Sequence, residues 1–246
     1  MLIAVDGTGE ADDFSYRQEM HGSFVNSLFQ DHWSIRKRYV RGPTLWGLET
    51  VSIADRQEEV IHRWLNEGDR EIYLVGYSRG GAVAITLAHR LAQANIPVKG
   101  MLLFDAVDRA RGIDAGVKPG NVWATFHARR DPAVQSRWYF SNCGVISRSG
   151  IFFQKFFHCT HSGMGGMPWA GDHPVRWSDP LAKIRENSRA QVSSNPWSPA
   201  GRLQIKGPVR ASDITIIPTI DKSSEADEVA NLRQWMWQGA RSIGLL

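Results

Sequence analysis

Residues 73 to 84 read YLVGYSRGGAVA, a lone serine between glycines where an apolar run stops and a helical run begins. The pattern G-x-S-x-G requires a sharp turn from a strand into a helix. Gly76 and Gly80 carry no Cβ, so the turn can close on its neighbours and push the Oγ of Ser78 out above the sheet edge. The backbone N–H of Arg79 then falls beside that Oγ as half of an oxyanion hole. The flanks meet the requirement. EIYLV before the motif is short, apolar and β-favouring, and Val83, Leu87 and Leu91 after it recur four apart. The motif predicts a βα unit with a nucleophile at its tip; a plain glycine-rich βα turn is the alternative.

The rest of the chain supplies more units of this kind. LIAV, WSIRKRYV, VKGMLLFDAV, NVWATFHARR and GIFFQKFFHCT read as strands. Residues 12 to 30 are partly helical in pattern, and residues 51 to 66 gather Ile53, Val60, Ile61, Trp64 and Leu65 on one side. Residues 174 to 190 also read as helix, as do 223 to 242, where Val229, Leu232, Met236, Ala240 and Ile243 form one stripe. Strands alternating with helices predict an α/β fold, a mostly parallel central sheet covered by helices on both faces. The length of 246 residues fits one domain, 1–246, with 132–150 and 191–211 expected as cap or surface-loop insertions.

Composition narrows the function classes. A hydrophobic content of 42% with 22% charged residues excludes a disordered chain. The net charge of +4 is not gathered into a block, so it argues for no nucleic-acid partner and fits an anionic surface or substrate. Cys143 and Cys159 form neither a disulfide framework nor a metal-like pair. MLIAVDGTGE lacks the basic start of a signal peptide and no run is long enough to span a membrane, so a soluble, cytoplasmic product is expected; export without a cleaved signal stays open. Of ten tryptophans, Trp138, Trp169 and Trp177 flank the motifs and are expected at an apolar binding surface; the others read as core or loop anchors.

A serine nucleophile needs a base, and the base needs an orienting acid. In sheets of this kind they follow the serine in the order acid, then histidine. His161 opens HSGMGG, a small-residue loop after a strand, where an imidazole can reach Oγ. His89 lies on the helix leaving the elbow, His127 and His158 are strand-bound, and His173 is the reserve. Asp105 and Asp131 both end strands and both qualify as the acid; Asp131 follows Arg129 and Arg130 and also reads as a surface ion pair, while Asp108 serves a turn. Gly7 or Thr8 in VDGTG can supply the second oxyanion amide, braced by Asp6. The same run lacks the first aspartate of the dehalogenase-type D-x-D-G-T pattern, because Ala4 stands there. Met164, Met167 and Trp169 directly follow the base and are expected at the substrate rim. No metal or organic cofactor is implied.

VDGTG, YVRGP, a helix ending in EGD, and IYLVGYSRGGA resemble a bacterial α/β-hydrolase family with the run F-D-G-T, Y-x-x-G, G-D-x-I-x-x-x-G-F-S-R-G-A. That family includes the phospholipase effectors of type VI secretion. LLFDAVDRARG is similar to its W-D-T-V-G segment, which puts Asp105 on its acid, and CTHSGMGG to V-H-S-D-V-G-G, which puts His161 on its base. Gly163 stands where the family carries Asp, so a bracing role of that Asp in the histidine loop is expected to be lost. The resemblance covers the chain to about residue 170. It implies an α/β-hydrolase fold and a lipase or phospholipase acting on a lipid or other ester at a membrane surface. For an effector it also implies a cognate inhibitor protein. A thioesterase or acyltransferase with the same triad, and a catalytically weak binding or toxin-accessory module, are the alternatives.

Overall fold

Alternation along the strands sorts their side chains onto two faces of one sheet. In β1 (Leu2–Val5), Leu2 and Ala4 point into one apolar layer, and Ile3 and Val5 into the other. Where both layers cover the sheet, at its centre, the strands carry mostly apolar runs. In a computed structural model the described residues are 1–9, 12–44, 49–108, 115–131, 134, 142–167 and 222–246. The helix expected at 174–190, the loop at 191–211 and most of 132–141 lie outside them.

The elements follow in the order β1, α1 (Asp13–Glu19), α2 (Phe24–Asp31), β2 (Lys37–Val40), α3 (Thr50–Asn66), β3 (Tyr73–Tyr77) and α4 (Arg79–Gln93). Then come β4 (Val98–Phe104), β5 (Val117–Lys118), β6 (Val122–Arg130), β7 (Ile146–Ser147), β8 (Ile151–Phe157), α5 (His161–Met164) and α6 (Lys222–Ser242). Six strands form one parallel sheet in the order β2-β1-β3-β4-β6-β8, while β5 and β7 pair separately. Residues from α3 and α4 fill the layer on one face; residues from α2, α5 and α6 fill the other. This is the expected α/β-hydrolase-like architecture, with a mostly parallel sheet and helices on both sides.

The strand order places the site. From β1 the chain goes outward to β2, then returns to β3 on the other side of β1. The carboxyl ends of β1 and β3 therefore open on a crevice at the point where the winding reverses, where open α/β sheets bind ligands. The loop after β1 is VDGTG, and the turn after β3 is the serine elbow. The last helix stripe is buried as expected: Val229, Leu232, Met236, Ala240 and Ile243 all join the second layer. Trp33 and Ile35 are the exception to the expected strand WSIRKRYV. They are 73% and 94% exposed, and β2 begins only at Lys37.

Candidate active site

The turn at Ser78 is strained. Ser78 sits at φ 55°, ψ −126°, a region that non-glycine residues rarely occupy and that costs roughly 1–3 kcal/mol. Packing holds it there. A Cβ on Gly76 would lie 2.5 Å from the Gly80 carbonyl oxygen, so only glycine lets the turn close. Ser78 N–H donates to Phe104 O at 3.0 Å, and Ser78 O accepts from Gly81 and Val107 N–H at 3.0 Å each. The oxygen that leaves this turn meets His161: Ser78 Oγ lies 2.9 Å from Nε2.

His161 opens α5, the single turn that follows β8. Its Nδ1 lies 2.6 Å from Asp105 Oδ2, and both side chains are buried. The Tyr77 hydroxyl donates to the His161 carbonyl at 2.8 Å, and the two rings meet at a tilt of 31° with centroids 5.2 Å apart. Asp105, which follows β4 directly, also has left-handed backbone, at φ 41°. Asn142 Nδ2 donates to its Oδ1 at 2.7 Å, and Arg130 N–H reaches the same atom at 3.3 Å. The Arg130 guanidinium approaches Oδ2 at 3.4 Å. Burial alone would push the Asp105 carboxyl up, but Arg130, then His161 and Asn142, outweigh it and hold the group well below the usual carboxylate range. Asp105 is therefore ionised at neutral pH and fixes the His161 tautomer with the proton on Nδ1. Nε2 is left to accept from the serine.

The other histidines and carboxylates stand elsewhere. His127 is fully buried; burial, with the Arg129 guanidinium, pushes it down to about 4. It accepts from Ala106 N–H at 3.3 Å and contacts Gly144 O at 3.2 Å, which braces the turn that carries Asp105. His89 Nε2 contacts Val117 O at 2.8 Å. His158 is exposed, and its Nδ1 lies 3.5 Å from Asp131 Oδ2. His173 lies outside the described residues.

The loop after β1 packs on the elbow, close enough that a Cβ on Gly7 would lie 2.7 Å from the Tyr77 ring. Its amides are not equivalent. Gly7 N–H donates to Asp6 Oδ1 at 2.8 Å. The Gly7 amide is thus engaged by its neighbour's carboxylate, while Thr8 follows it in the loop and Arg79 opens α4. Asp6 itself is completely buried. Ser23 Oγ and the Tyr39 hydroxyl donate to its Oδ2, the latter at 2.7 Å. Burial, opposed by these hydrogen bonds, pushes the Asp6 carboxyl up to about 6. The folded chain thus holds a proton there between pH 3.8 and 6 that the unfolded chain has released, and this linkage lowers stability as pH rises through that window. Asp6→Asn should remove that trend. In denaturant titrations from pH 4 to 7, the stability of the variant relative to wild type should rise by roughly 2 kcal/mol and level off above pH 6. A difference independent of pH would contradict it.

Two rim expectations fare differently. Met164 is 0% exposed and belongs to the core layer with Phe24, Tyr77 and Phe104. It sits three residues after His161 on one helical turn, so the turn that aims the imidazole inward buries Met164 as well. Met167 is partly buried against the same layer. Trp138, Trp169 and Trp177 lie outside the described residues. The sequence reading missed Arg130, Asn142, Tyr77, Thr160 and Glu225. Of these, only Arg130 carried a signal, and it was assigned to Asp131. Among the described residues no cluster of His, Cys, Asp and Glu could hold a metal ion, and no helix is long and apolar enough to cross a membrane.

No family model and no curated protein matches the sequence. Among solved structures the chain is similar to the Tle1 effector bound to the VgrG spike of the type 6 secretion system, at 14% identity and a TM-score of 0.48. That match covers 70% of this chain and 51% of the other, so this chain spans about half the length of the Tle1 chain. It is also similar to the RedJ thioesterase of prodiginine biosynthesis in Streptomyces coelicolor, at 13% identity and a TM-score of 0.38 over 68% of this chain and 80% of that one. A cell surface hydrolase of Lactobacillus plantarum WCFS1 matches at 9% identity and a TM-score of 0.37, over 78% of this chain and 88% of the other.

Proposed function

We propose that this chain is a serine hydrolase that cleaves carboxylic esters, with lipid esters as its substrate class and Ser78, His161 and Asp105 as its triad. One observation carries the reading: an unbroken relay of hydrogen-bond distances, 2.9 Å from Ser78 Oγ to His161 Nε2 and 2.6 Å from Nδ1 to Asp105 Oδ2, that starts on a strained serine elbow. Ser78 Oγ attacks the ester carbonyl as Nε2 takes its proton. The tetrahedral oxyanion is held by the Arg79 and Thr8 amides. His161 then returns the proton to the departing alcohol, leaving an acyl-serine. Water, deprotonated by the same Nε2, releases the acid and restores Ser78.

Lipid esters are favoured by two surface features. α1 follows the oxyanion loop and carries Phe14 at 73% exposure. The net charge of +4 draws the chain toward anionic interfaces, by about 1 kcal/mol for each Lys or Arg near the surface. A contact with a membrane surface, and with an inhibitor protein if the chain is an effector, would follow from the same chemistry.

The test combines fluorophosphonate labelling with a substrate comparison. Ser78 should be the labelled residue. Phospholipid vesicles should be hydrolysed faster than a short nitrophenyl ester, and Phe14→Ala should slow the vesicle reaction several-fold while leaving the soluble ester unchanged. Faster turnover of the soluble ester, with no vesicle defect in the variant, removes the lipid claim and leaves the triad standing. Failure to label Ser78 removes the hydrolase.

A further inference from the structure

The proposed base sits on one helical turn, and one turn has little stability of its own. What holds it comes from α6, far along the chain. Thr160 precedes His161 and caps α5, its Oγ1 accepting from Gly163 N–H at 3.0 Å. Both Thr160 donors, in turn, go to a single atom. Glu225 Oε1 accepts from Thr160 N–H at 2.8 Å and from Thr160 Oγ1 at 2.5 Å. Glu225 lies in the first turn of α6 and is only 4% exposed. The chain makes room for it: a Cβ on Gly163 would stand 2.5 Å from that same Oε1 and 3.2 Å from Val229 Cγ2. One turn further along α6, Glu228 Oε2 reaches His158 N–H at 3.4 Å. The backbone on which the imidazole is mounted is thus gripped at two points by the start of the last helix.

The geometry points to Glu225 as a positioning residue for His161, a carboxylate clamp on Thr160 that fixes the α5 cap and so holds Nε2 within reach of Ser78 Oγ. This deepens the serine-hydrolase reading and rests on it. Without the clamp, Thr160 loses the acceptor for two partly buried donors, and its hydroxyl is free to turn away from Gly163 N–H. The cap then loosens where a displacement of about 1 Å costs on the order of 10²-fold in rate. Ester and serine chemistry make no demand on a carboxylate at this place. The demand is for an acceptor aimed at two donors.

The test compares Glu225→Gln, which keeps an acceptor oxygen on the same side chain, with Glu225→Leu, which does not; Thr160→Val removes one of the two donors. Rates are expressed per active site titrated with fluorophosphonate, so a loss of folded protein does not lower them. Glu225→Leu should reduce kcat roughly 10- to 100-fold with KM within about twofold, Thr160→Val should reduce it less, and Glu225→Gln should stay within about threefold of wild type. A second readout needs no turnover: the downfield proton resonance of His161 Nδ1–H bonded to Asp105. It should be present in wild type and Glu225→Gln, and weakened or lost by exchange in Glu225→Leu. If Glu225→Leu keeps its rate per site and its resonance, or if Glu225→Gln is as impaired as Glu225→Leu, the clamp is overturned. If wild type hydrolyses no ester while the resonance still depends on Glu225, the hydrolase reading falls and the clamp stands.

Discussion

Ser78→Ala is expected to lower ester hydrolysis by on the order of 10³-fold or more, because the proposed triad would act as a unit and what survives would come from the oxyanion donors and binding. The variant should fold normally. Alanine inherits the φ 55° backbone without adding to it, and the side chain lost makes its contact with His161 Nε2 rather than with the core. Ser78→Gly separates strain from chemistry. It should be as inactive as the alanine variant yet more stable, by about 1 kcal/mol, since glycine occupies positive φ without penalty. The measurements are kcat/KM on a nitrophenyl ester and a thermal melt for each protein. Retention of activity within tenfold in a folded Ser78→Ala protein is incompatible with a serine nucleophile at this position.

The same residues explain what could and could not be read from the chain alone. The elbow was legible because everything it needs lies within a dozen residues: an apolar strand, glycines at the crossing and a helical stripe behind it. The central strands were legible because burial on both faces makes them mostly apolar, as in MLLF before Asp105. WSIRKRYV misled at its start because Trp33 and Ile35 imitate strand alternation while pointing into solvent. Nothing in VDGTG says that the Asp6 side chain turns back onto the Gly7 amide, because that depends on the folded turn of the loop. Glu225 was invisible for another reason. It lies 65 residues from Thr160, and nothing in the spacing of the helix stripe says which loop its first turn will touch. Gly163, where the resemblance led to the expectation of a missing brace, leaves space that the Glu225 carboxylate from another helix occupies.

The choice between Asp105 and Asp131 also depends on strand order. Both close strands, and both precede the histidine. β4 is the immediate neighbour of β3, so Asp105 emerges one strand spacing, about 5 Å, from the strand that carries Ser78. Asp131 follows β6, one strand further out, and meets the exposed His158. Asp105→Asn should therefore lower kcat by on the order of 10³- to 10⁴-fold. Either amide orientation fails. With Nδ2 toward His161, the ring must carry its proton on Nε2, where it can no longer accept from Ser78. With the oxygen toward His161, Nδ2 faces the Asn142 amide and Arg130 N–H, which are donors as well. The Arg130 guanidinium would also lose the charge that it faces in the buried site, so a lower melting temperature should accompany the kinetic loss. Asp131→Asn should change kcat less than about threefold, because it alters an exposed contact of the kind that contributes little. Both variants should still react with a fluorophosphonate at Ser78, Asp131→Asn at close to the wild-type rate and Asp105→Asn far more slowly. If Asp131→Asn proves inactive and Asp105→Asn retains wild-type rates, the acid that orients His161 in solution is not the one 2.6 Å from its Nδ1.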